Sequence, residues 1–476
     1  MDKQYDILVI GGGPGGTPAA LALAQAGKKV LLVEAGGGLG GTCLFEGCIP
    51  SKIFRETAHR LRDVNRAAEF GIQLPTELVH LDWHRVQARK QEILQRRSGA
   101  AVKKVAQFKT LDLLFGHARL QGPRQAEIQP HEGDAFMLRF EQCILATGSR
   151  PNRLPLRGVD LPQVYSSDAI LDIECIPEHL TVIGGGPIGV ELAQVFHALG
   201  ASVTLLERGP RILQGVDEEL VGILERQLIE QGITLHRNAS VKSINHTGKG
   251  VFVQYDLAEG GYDQTFATVV LMAAGRHAHI DGLGLEATAI NASPHGIEVD
   301  ETLQTTEPGI YAVGDVAGQP MFAHWATAQG LALARHLLGQ PAPFPQVTHN
   351  SAVIFSTPEL AMAGLTETQA RAAGMEVAVA RYDFSQDARA QISGDDSGIL
   401  KIVYKTSDRK IIGVHALVEG AADLMGEAAL LVRTGLPLEA VVGAIHPHPT
   451  LTESFAVAVR SVLADVAEQR SLAGHH

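Results

Sequence analysis

Cysteine, aromatic residues and long apolar runs are all scarce in this chain. Four of its 476 residues are cysteines and 5% are aromatic, and four cysteines are too few for the disulfide framework of a secreted domain. No unbroken apolar stretch approaches the roughly 18 residues that a membrane-spanning helix requires. The N-terminal MDKQYDILVI leads directly into an apolar strand and lacks the features of an export signal. We therefore expect a cytoplasmic protein with no membrane partner.

The chain also lacks long blocks of like charge. Its 40 Lys and Arg residues against 52 Asp and Glu give a net charge of −12, so we do not expect nucleic acid as a partner. A chain of this length predicts about three domains. Its 51 glycines concentrate in turns beside apolar runs, which is typical of turns that bind phosphate.

Two segments of the chain repeat one pattern of strand, glycine turn, helix and strand. They are YDILVIGGGPGGTPAALALAQAGKKVLLVEAG and HLTVIGGGPIGVELAQVFHALGASVTLLERG, which align without a gap. Glycines at these spacings allow a tight turn, close approach of a pyrophosphate and packing of helix on strand. We therefore predict two dinucleotide-binding units. Their motif glycines are Gly11, Gly13 and Gly16 in the first unit and Gly184, Gly186 and Gly189 in the second.

A glutamate ends the second strand of each repeat. Glu34 and Glu207 each follow the last motif glycine by eighteen residues, a position from which a carboxylate binds ribose hydroxyls and repels the extra phosphate of NADP. Alternatively both are solvated strand ends, and Arg208 and Arg211 keep NADP open as a minor option. Two dinucleotides bound on opposite sides of one redox center could pass a hydride from one to the other. A flavin and a nicotinamide are the natural pair for this.

Cys43 and Cys48 are separated by a short turn in GGTCLFEGCIPSK. In one regular helix their side chains would point about 140° apart and lie about 7.5 Å apart along the axis. A disulfide needs Cα atoms about 4.4–6.8 Å apart, so a bridge would require a distorted turn. The pair is either redox chemistry, catalytic or sensing, or two unrelated buried thiols. A metal site is the weaker option, because the chain has no second cysteine pair.

Two further segments carry candidate functional residues. GIYAVGD delivers Asp315 to a turn, where it could hold a sugar-like hydroxyl or serve only the turn. In AIHPHPTLTESF the two prolines favor extended backbone, which places His446 and His448 on the same side. Glu453 has capping-box spacing from Thr450 and could instead orient His448 as a general base.

Taken together, GGGPGG, GGTCLFEGCIPSK, ATGSRPN, GGGPIGVELA, GIYAVGD and HPHPTLTES resemble the flavin-dependent pyridine nucleotide–disulfide oxidoreductases. The resemblance implies an α/β fold with two Rossmann-like domains, for FAD and NAD, and a C-terminal α+β dimerisation domain. The expected boundaries are 1–150 and 276–346 for the FAD-binding domain, 151–275 for the NAD-binding domain, and 347–476 for the dimerisation domain.

The resemblance also implies roles for particular residues. Within the family the motifs are most similar to the branch that oxidises dihydrolipoamide on a lipoyl-bearing carrier protein, working as a homodimer with shared active sites. The implied catalytic residues are Cys43 as the thiol that meets substrate, Cys48 as the thiol beside the flavin, Lys52 and Glu191 near the flavin and nicotinamide, and His448 with Glu453 as the base from the partner subunit. The implied cofactor-binding residues are Gly11, Gly13, Gly16, Glu34, Gly41, Thr42, Lys52, Thr147, Gly148, Gly184, Gly186, Gly189, Glu207, Gly275, Gly314, Asp315 and Ala323.

Two segments depart from the family pattern. Phe45 and Glu46 stand between the cysteines where the family usually has Asn-Val, and a carboxylate facing the sulfurs would raise the thiolate pKa. A Glu46 that faces solvent would not. In AAGRHAHI the family's Arg-Pro-Asn segment after the glycine is replaced. This replacement would change either the affinity for NAD or the place where the chain crosses between the two nucleotide-binding domains. Both departures leave open another disulfide or oxidant as substrate for a related NAD(P)H-dependent reductase, and a flavoprotein scaffold without turnover is an alternative of another class.

Overall fold

The computed structural model of the chain describes residues 3–75, 78–258 and 260–473. Its first nucleotide unit alternates strands and helices and then turns into an antiparallel meander. Strand β1 pairs in parallel with both β2 and β5, whereas β3, β4 and β5 run antiparallel to one another in sequence. The elements in chain order are β1 (Lys3–Ile10), α1 (Gly16–Gln25), β2 (Val30–Glu34), α2 (Gly41–Phe45), α3 (Cys48–Asn65), α4 (Trp83–Val105), β3 (Leu111–Gly122), β4 (Gln125–Pro130), β5 (Phe136–Leu145) and β6 (Ser149–Pro151).

The second nucleotide unit is built on a five-stranded parallel sheet in the order β10-β9-β8-β14-β7. A three-stranded antiparallel sheet, β11-β12-β13, is inserted before β14, the last strand of the parallel sheet in the chain. The elements are β7 (Val164–Ser166), β8 (His179–Ile183), α5 (Pro187–Ala198), β9 (Ser202–Leu206), α6 (Glu218–Glu230), β10 (Thr234–His236), β11 (Ser240–Thr247), β12 (Gly250–Asp256), β13 (Tyr262–Ala267) and β14 (Val269–Met272).

The chain then returns to the first unit. Strand β15 pairs antiparallel with β6 where the chain passes between the units, and β18 adds to the first sheet beside β5. The parallel strands of that sheet are therefore ordered β3-β2-β1-β5-β18. The spatial arrangement matches that of the second unit, but the edge strand β18 comes last in the chain, whereas its counterpart β7 comes first. We propose the β6–β15 pair as the boundary between the two units. The returning elements are β15 (Arg276–Ala278), β16 (Ala292–Ser293), β17 (Gly296–Ile297), β18 (Ile310–Ala312) and α7 (Ala323–Leu337).

The C-terminal unit is an antiparallel sheet in the order β19-β20-β23-β22-β21, packed against helices. This completes the expected α/β fold with an α+β C-terminal unit. The last three residues of the predicted dimerisation domain, 474–476, lie outside the described residues. The elements are β19 (Ser351–Ile354), β20 (Leu360–Gly364), α8 (Glu367–Ala372), β21 (Val377–Asp383), α9 (Ala388–Ser393), β22 (Ile399–Lys405), β23 (Ile411–Leu417), α10 (Ala421–Thr434), α11 (Leu438–Gly443) and α12 (Glu453–Ala473).

One apolar core fixes the helix that follows the cysteine turn. Phe54 on α3 is fully buried, with its ring centroid 4.7 Å from that of Trp83 on α4. Trp83 lies 6.5 Å from the ring of Phe196 on α5, so α3 is held between both nucleotide units. Removing such a buried ring typically costs about 3–5 kcal/mol. Within the described part of the chain, no helix combines the length and apolar character needed to cross a membrane.

Candidate active site

The first glycine of each repeat is required by its backbone. Gly11 and Gly184 have φ angles of +109° and +110°, a region that residues with a Cβ rarely adopt. A Cβ at either position would also collide with a backbone carbonyl, that of Ala146 or Ala273. The two turns therefore have the same geometry, in agreement with the repeat seen in the sequence.

The other motif glycines differ in their surroundings in the way that dinucleotide binding requires. A Cβ on Gly16 or Gly189 would collide with the carbonyl of its own motif's first glycine, so helix and strand pack at backbone distance. A Cβ on Gly186 would meet nothing within 4 Å, and on Gly13 it would meet only the Cα of Gly41, at 3.8 Å. Each turn thus presents open backbone to a pyrophosphate, and the residues fit a dinucleotide in both units.

The two strand-end glutamates are half-buried at these turns rather than free in solvent. Each accepts hydrogen bonds from the backbone N–H that follows the motif's first glycine and from the N–H two residues after itself. Each carboxylate is therefore fixed at the mouth of its glycine turn. The bonds are Glu34 with Gly12 and Gly36 at 2.5 and 2.6 Å, and Glu207 with Gly185 and Gly209 at 2.7 and 2.5 Å.

Asp315 ends a hydrogen-bonded chain of side chains at the β6–β15 crossing. Its Oδ2 accepts a bond from Ser149 Oγ at 2.6 Å, and Arg276 Nε donates to Ser149 Oγ at 2.8 Å. Arg276 Nη1 also pairs with Asp168 at 2.7 Å. Burial raises the pKa of Asp315. The sequence singled out Asp315 but missed Ser149 and Asp168. Ser149 meets Asp315 and Arg276 only where the chain returns to the first unit, and the contact of Asp168 with Arg276 joins the two units.

The remaining predicted cofactor residues border the same turns. A Cβ on Gly41 would lie 2.8 Å from Gly13 Cα, so the cysteine segment approaches the first glycine motif closely. Ala323 begins α7, which contacts α1. The other positions are Thr42, whose carbonyl accepts a bond from Glu46 N at 2.8 Å; Thr147, whose Oγ1 donates to His279 O at 2.7 Å; Gly148 and Gly275, with φ of +75° and +90°; and Gly314, whose N donates to Gln329 Oε1 at 2.8 Å.

The redox turn is divided between two helices. Cys43 lies in the short α2, Cys48 is the first residue of α3, and Gly47 lies between the helices with φ −157° and ψ −103°. The break removes the regular-helix geometry that would keep the side chains apart. The two free thiols form a hydrogen bond with each other, so the alternative of two unrelated buried thiols is wrong.

The two thiols of this redox-active pair differ in acidity. The hydrogen bond with Cys43 is the largest cause that brings the pKa of Cys48 to about 7; burial opposes it and the Lys52 ammonium assists it. The same hydrogen bond, followed by burial, raises the pKa of Cys43. A helix N-terminus also favors a thiolate. The surroundings therefore favor a thiolate on Cys48 over one on Cys43.

Lys52 and Glu191 meet across the boundary of the two nucleotide units. Lys52 Nζ lies 2.6 Å from Glu191 Oε2, with the side chains 32% and 13% exposed. Glu191 Oε1 accepts a bond from the backbone N–H of Phe355 at 2.9 Å. The sequence predicted both charged residues but gave no signal for Phe355, which lies in a segment without a recognised motif.

The two departures from the family pattern, Glu46 and the AAGRHAHI segment that contains Arg276, interact electrostatically. Desolvation and then the charge of Asp168 raise the pKa of Glu46, whereas Arg276 lowers it. The charged groups that act most strongly on the pKa of Cys48 are Lys52 and Glu191. Glu46 is exposed to solvent, and the charges that act most strongly on its pKa are those of Asp168 and Arg276 at the β6–β15 crossing.

Glu453 contacts both of the residues that its spacing suggested, His448 and Thr450. Both of its oxygens lie 3.1 Å from His448 Nδ1, and Oε2 accepts a bond from Thr450 N at 2.9 Å. His448 is 73% exposed, whereas His446 is 10% exposed and pairs with Glu427 at 3.1 Å. The two imidazoles thus lie in different surroundings, contrary to the expectation of a common side. Within the described residues of one chain, no hydrogen bond joins His448 to either cysteine.

Comparison with known proteins covers nearly the whole chain. Residues 5–330 match the profile of the pyridine nucleotide-disulphide oxidoreductases, and residues 350–459 match the dimerisation domain of that family. A dihydrolipoyl dehydrogenase of Thermus scotoductus is 36% identical, with 97% of this chain and 98% of that protein aligned. One from Bacillus subtilis is 37% identical over 95% and 97%. The Escherichia coli HOCl-induced flavoprotein disulfide reductase RclA, in its Cu(II) complex, is 27% identical with a TM-score of 0.86, covering 97% of this chain and all of that one.

These matches confirm several expectations at once. FAD and NAD are the cofactors of the two nucleotide units, and the third unit is a dimerisation domain that makes the protein a homodimer. The chain is thus a redox enzyme with a cysteine pair as its redox center. By the match of both profiles and by these relatives, the chain belongs to the pyridine nucleotide-disulphide oxidoreductase family.

Proposed function

We propose that the protein oxidises dihydrolipoamide to lipoamide, with NAD+ as the final electron acceptor. The observation that carries the proposal is the exposed His448, whose Nδ1 is engaged by Glu453. Because Nδ1 is engaged, Nε2 is the nitrogen available to take a proton from a substrate thiol. The relatives at 36% and 37% identity carry the name dihydrolipoyl dehydrogenase, which supports the same substrate. A lipoyl-bearing carrier protein and a cytoplasmic location are part of the proposal.

The glycine turns and their glutamates are proposed to hold the two cofactors. When bound, the flavin supplies a two-electron relay between the cysteine pair and the nicotinamide. In this proposal Glu34 binds the adenosine ribose of FAD and Asp315 binds its ribityl chain. The full cofactor-binding set is the one predicted from the sequence, from Gly11 through Ala323.

The second site is proposed to prefer NAD over NADP. Glu207 is fixed at the turn by two backbone bonds of 2.7 and 2.5 Å, and its carboxylate repels a 2′-phosphate. Arg211, one of the two nearby cations that could accept this phosphate, is already paired with Glu218 at 2.5 Å, which leaves Arg208 as the other.

The thiol chemistry is proposed to begin with the partner subunit's base. His448 takes a proton from one substrate thiol, and the resulting thiolate attacks Cys43 of the oxidised pair, which breaks the disulfide and releases Cys48 as a thiolate. The second substrate thiol then attacks the substrate sulfur of the mixed disulfide and passes its proton to Cys43 as that thiol leaves. Substrate is oxidised to a disulfide, the cysteine pair is reduced, and one proton remains on His448.

Lys52 and Glu191 are proposed to support the reduced pair. The Lys52 charge lowers the pKa of Cys48, so the thiolate persists near neutral pH. Glu191 holds Lys52 in place at 2.6 Å from the side of the NAD-binding unit.

Dihydrolipoamide oxidation by the FAD-loaded homodimer, followed as NADH formation, tests the proposal. We expect turnover with NAD+, much slower turnover with NADP+, and no turnover for Cys43→Ser. Cys175→Ser is the matched control, because Cys175 is an exposed thiol outside the pair, and it should behave as wild type. If NADH reduces the flavin but dihydrolipoamide does not, the substrate assignment is wrong and another disulfide or oxidant takes its place. If neither NADH nor dihydrolipoamide reduces the flavin, the alternative of a flavoprotein scaffold without turnover is favored.

A further inference from the structure

A short stretch of the C-terminal unit lies along the helix that carries Glu191. We call Phe355–Thr357, between β19 and β20, the junction segment. The N–H of Phe355 donates to Glu191 at 2.9 Å, and one turn further along α5 the amide of Gln194 bonds both the N–H and the carbonyl of Thr357, at 2.9 and 2.7 Å. Gln194 is 6% exposed, so these bonds are shielded from water.

The same segment contacts the helix that begins at Cys48. Arg55 Nη2 donates to the carbonyl of Ser356 at 3.2 Å. Lys52 Nζ lies 4.5 Å from the ring centroid of Phe355, and the guanidinium carbon of Arg55 lies 5.6 Å from it. The junction segment therefore joins the redox helix, the NAD-binding unit and the dimerisation domain at one point.

We propose that Phe355 is a positioning residue: its ring holds the Lys52 ammonium beside Cys48 and thereby maintains the Cys48 thiolate. The inference rests on the proposed function of the cysteine pair. It assigns to the dimerisation domain a contact with the redox center of its own chain, in addition to the partner-facing His448.

Two groups restrain the side chain of Lys52. Lysine is a point charge on a flexible stem, and this one is about one-third exposed. Glu191 restrains the ammonium from one direction, and the face of the Phe355 ring attracts it from another. The carboxylate of Glu191 is itself fixed by the backbone of Phe355 and stays in place whatever the side chain there.

Loss of the ring should therefore change the balance of charge at Cys48. If the ammonium moves toward solvent, its stabilisation of the thiolate weakens while Glu191, which destabilises it, remains. The thiolate then requires a higher pH to form. A tyrosine retains the aromatic face and should retain the effect.

The test is a pH titration of the Cys48 thiolate in the homodimer reduced with NADH or dithiothreitol. The readouts are the ultraviolet thiolate absorbance and the visible spectrum. For Phe355→Leu and Phe355→Met we expect the midpoint to rise by on the order of half a pH unit, the size expected when a partly exposed cation loses one aromatic face. Phe355→Tyr should match wild type, as should the control Phe252→Leu in β12 of the second unit. FAD content and dimer mass identify a variant that has failed to assemble.

A double variant separates positioning from general disturbance. In a Lys52→Met background, Phe355→Leu should cause no additional shift, because the charge through which the ring acts is gone. An unshifted midpoint in both single variants, or an equal shift with and without Lys52, would overturn the proposal. Neither reductant is dihydrolipoamide, so failure of lipoamide turnover in wild type would refute the proposed substrate and leave this result standing.

Discussion

Lys401 of the C-terminal unit and Asp217 of the second nucleotide unit form an ion pair of 2.7 Å in which both side chains are 5% exposed. Asp217 also caps α6, since its Oδ1 accepts bonds from Glu219 N and Leu220 N at 3.1 and 3.3 Å. The pair therefore joins the cap of a helix in one unit to a central strand of another. A buried charge without its partner is costly, so the two units depend on each other at this point.

Lys401→Met should lower the free energy of unfolding by about 3–5 kcal/mol, because Asp217 is left buried without a countercharge. Denaturant unfolding of the FAD-loaded dimer would measure this. Adding Asp217→Asn should restore part of the loss, because asparagine still caps a helix. Lys410→Met, which removes an exposed pair with Asp408, should change stability by less than about 1 kcal/mol. Equal effects at the two lysines would contradict the argument from burial.

Lys52 and Glu191 should shift the acidity of Cys48 in opposite directions. The ammonium lowers the pKa of Cys48, whereas the carboxylate raises it. Lys52→Met should move the thiolate midpoint above that of wild type. Glu191→Gln should move it below, because the amide oxygen still accepts a bond from Lys52 while the opposing charge is gone. Spectroscopic pH titration of the reduced dimer measures both. A shift of the same sign in both variants would show that these charges do not act on the thiolate as the geometry requires.

His448→Gln and Glu453→Gln should impair the thiol half of the reaction alone. Loss of a general base typically costs about 10²–10⁴-fold in rate, and the loss at Glu453 should be smaller because the imidazole remains. Reduction of the flavin by NADH should proceed at the wild-type rate in both. Stopped-flow measurement of each half-reaction separates the two. Slowing of the NADH step to the same degree would indicate a general defect of the fold.

A mixed dimer tests whether the base comes from the partner subunit. A chain with Cys43→Ser and a chain with His448→Gln are each inactive with dihydrolipoamide by the proposed mechanism. Combined in one dimer, they leave one site with an intact cysteine pair facing an intact histidine, so activity should return to as much as half of wild type per dimer. Mixed dimers purified by two affinity tags would provide the measurement. Inactive mixed dimers would place the base in the same chain as the cysteines.

The sequence predicted the contacts of the site well where the two residues are close in the chain and poorly where they are far apart. The glycine turns are set within each repeat, and the His448–Glu453 pair spans five residues, so local patterns were sufficient. The contact of Glu191 with Phe355 spans 164 residues and joins two units. Such a contact depends on how folded units pack, which leaves no periodic or spacing signal in the chain.

The same reason explains the outcome at Glu46. The sequence left open whether the Glu46 carboxylate faces the cysteine sulfurs or solvent. Glu46 is exposed, which agrees with the solvent alternative. No signal in the sequence indicated the β6–β15 crossing, which brings the charges of Arg276 and Asp168 close enough to act on Glu46. Glu46→Val should therefore leave the thiolate midpoint and the two-electron potential of the cysteine pair unchanged. Potentiometric titration of wild type and variant measures this, with Glu46→Gln as the isosteric control. A changed potential in both variants would mean that the charge acts on the sulfurs after all.

Glu419 should make stability depend on pH in a direction unusual for a carboxylate. It pairs with Arg55 at 3.1 Å and is 19% exposed, and burial raises its pKa from 4.5 to about 7. Between these values the folded state binds a proton that the unfolded state has released. This contribution to stability is therefore complete below about pH 4.5 and is lost as the pH rises through about 7.

Glu419→Gln removes this titration, so the variant should gain stability relative to wild type as the pH is raised from 4.5 to 8. With allowance for partial exposure, the relative gain should be about 1–3 kcal/mol. Because His59, whose pKa burial lowers to about 4, is present in both proteins, its opposite pH dependence cancels in the comparison. Thermal unfolding midpoints of variant and wild type across this range supply the measurement. The control is Glu439→Gln at an exposed position of α11, which should parallel wild type. A constant difference between Glu419→Gln and wild type at every pH would show that Glu419 is ionised throughout and that Arg55 outweighs its burial.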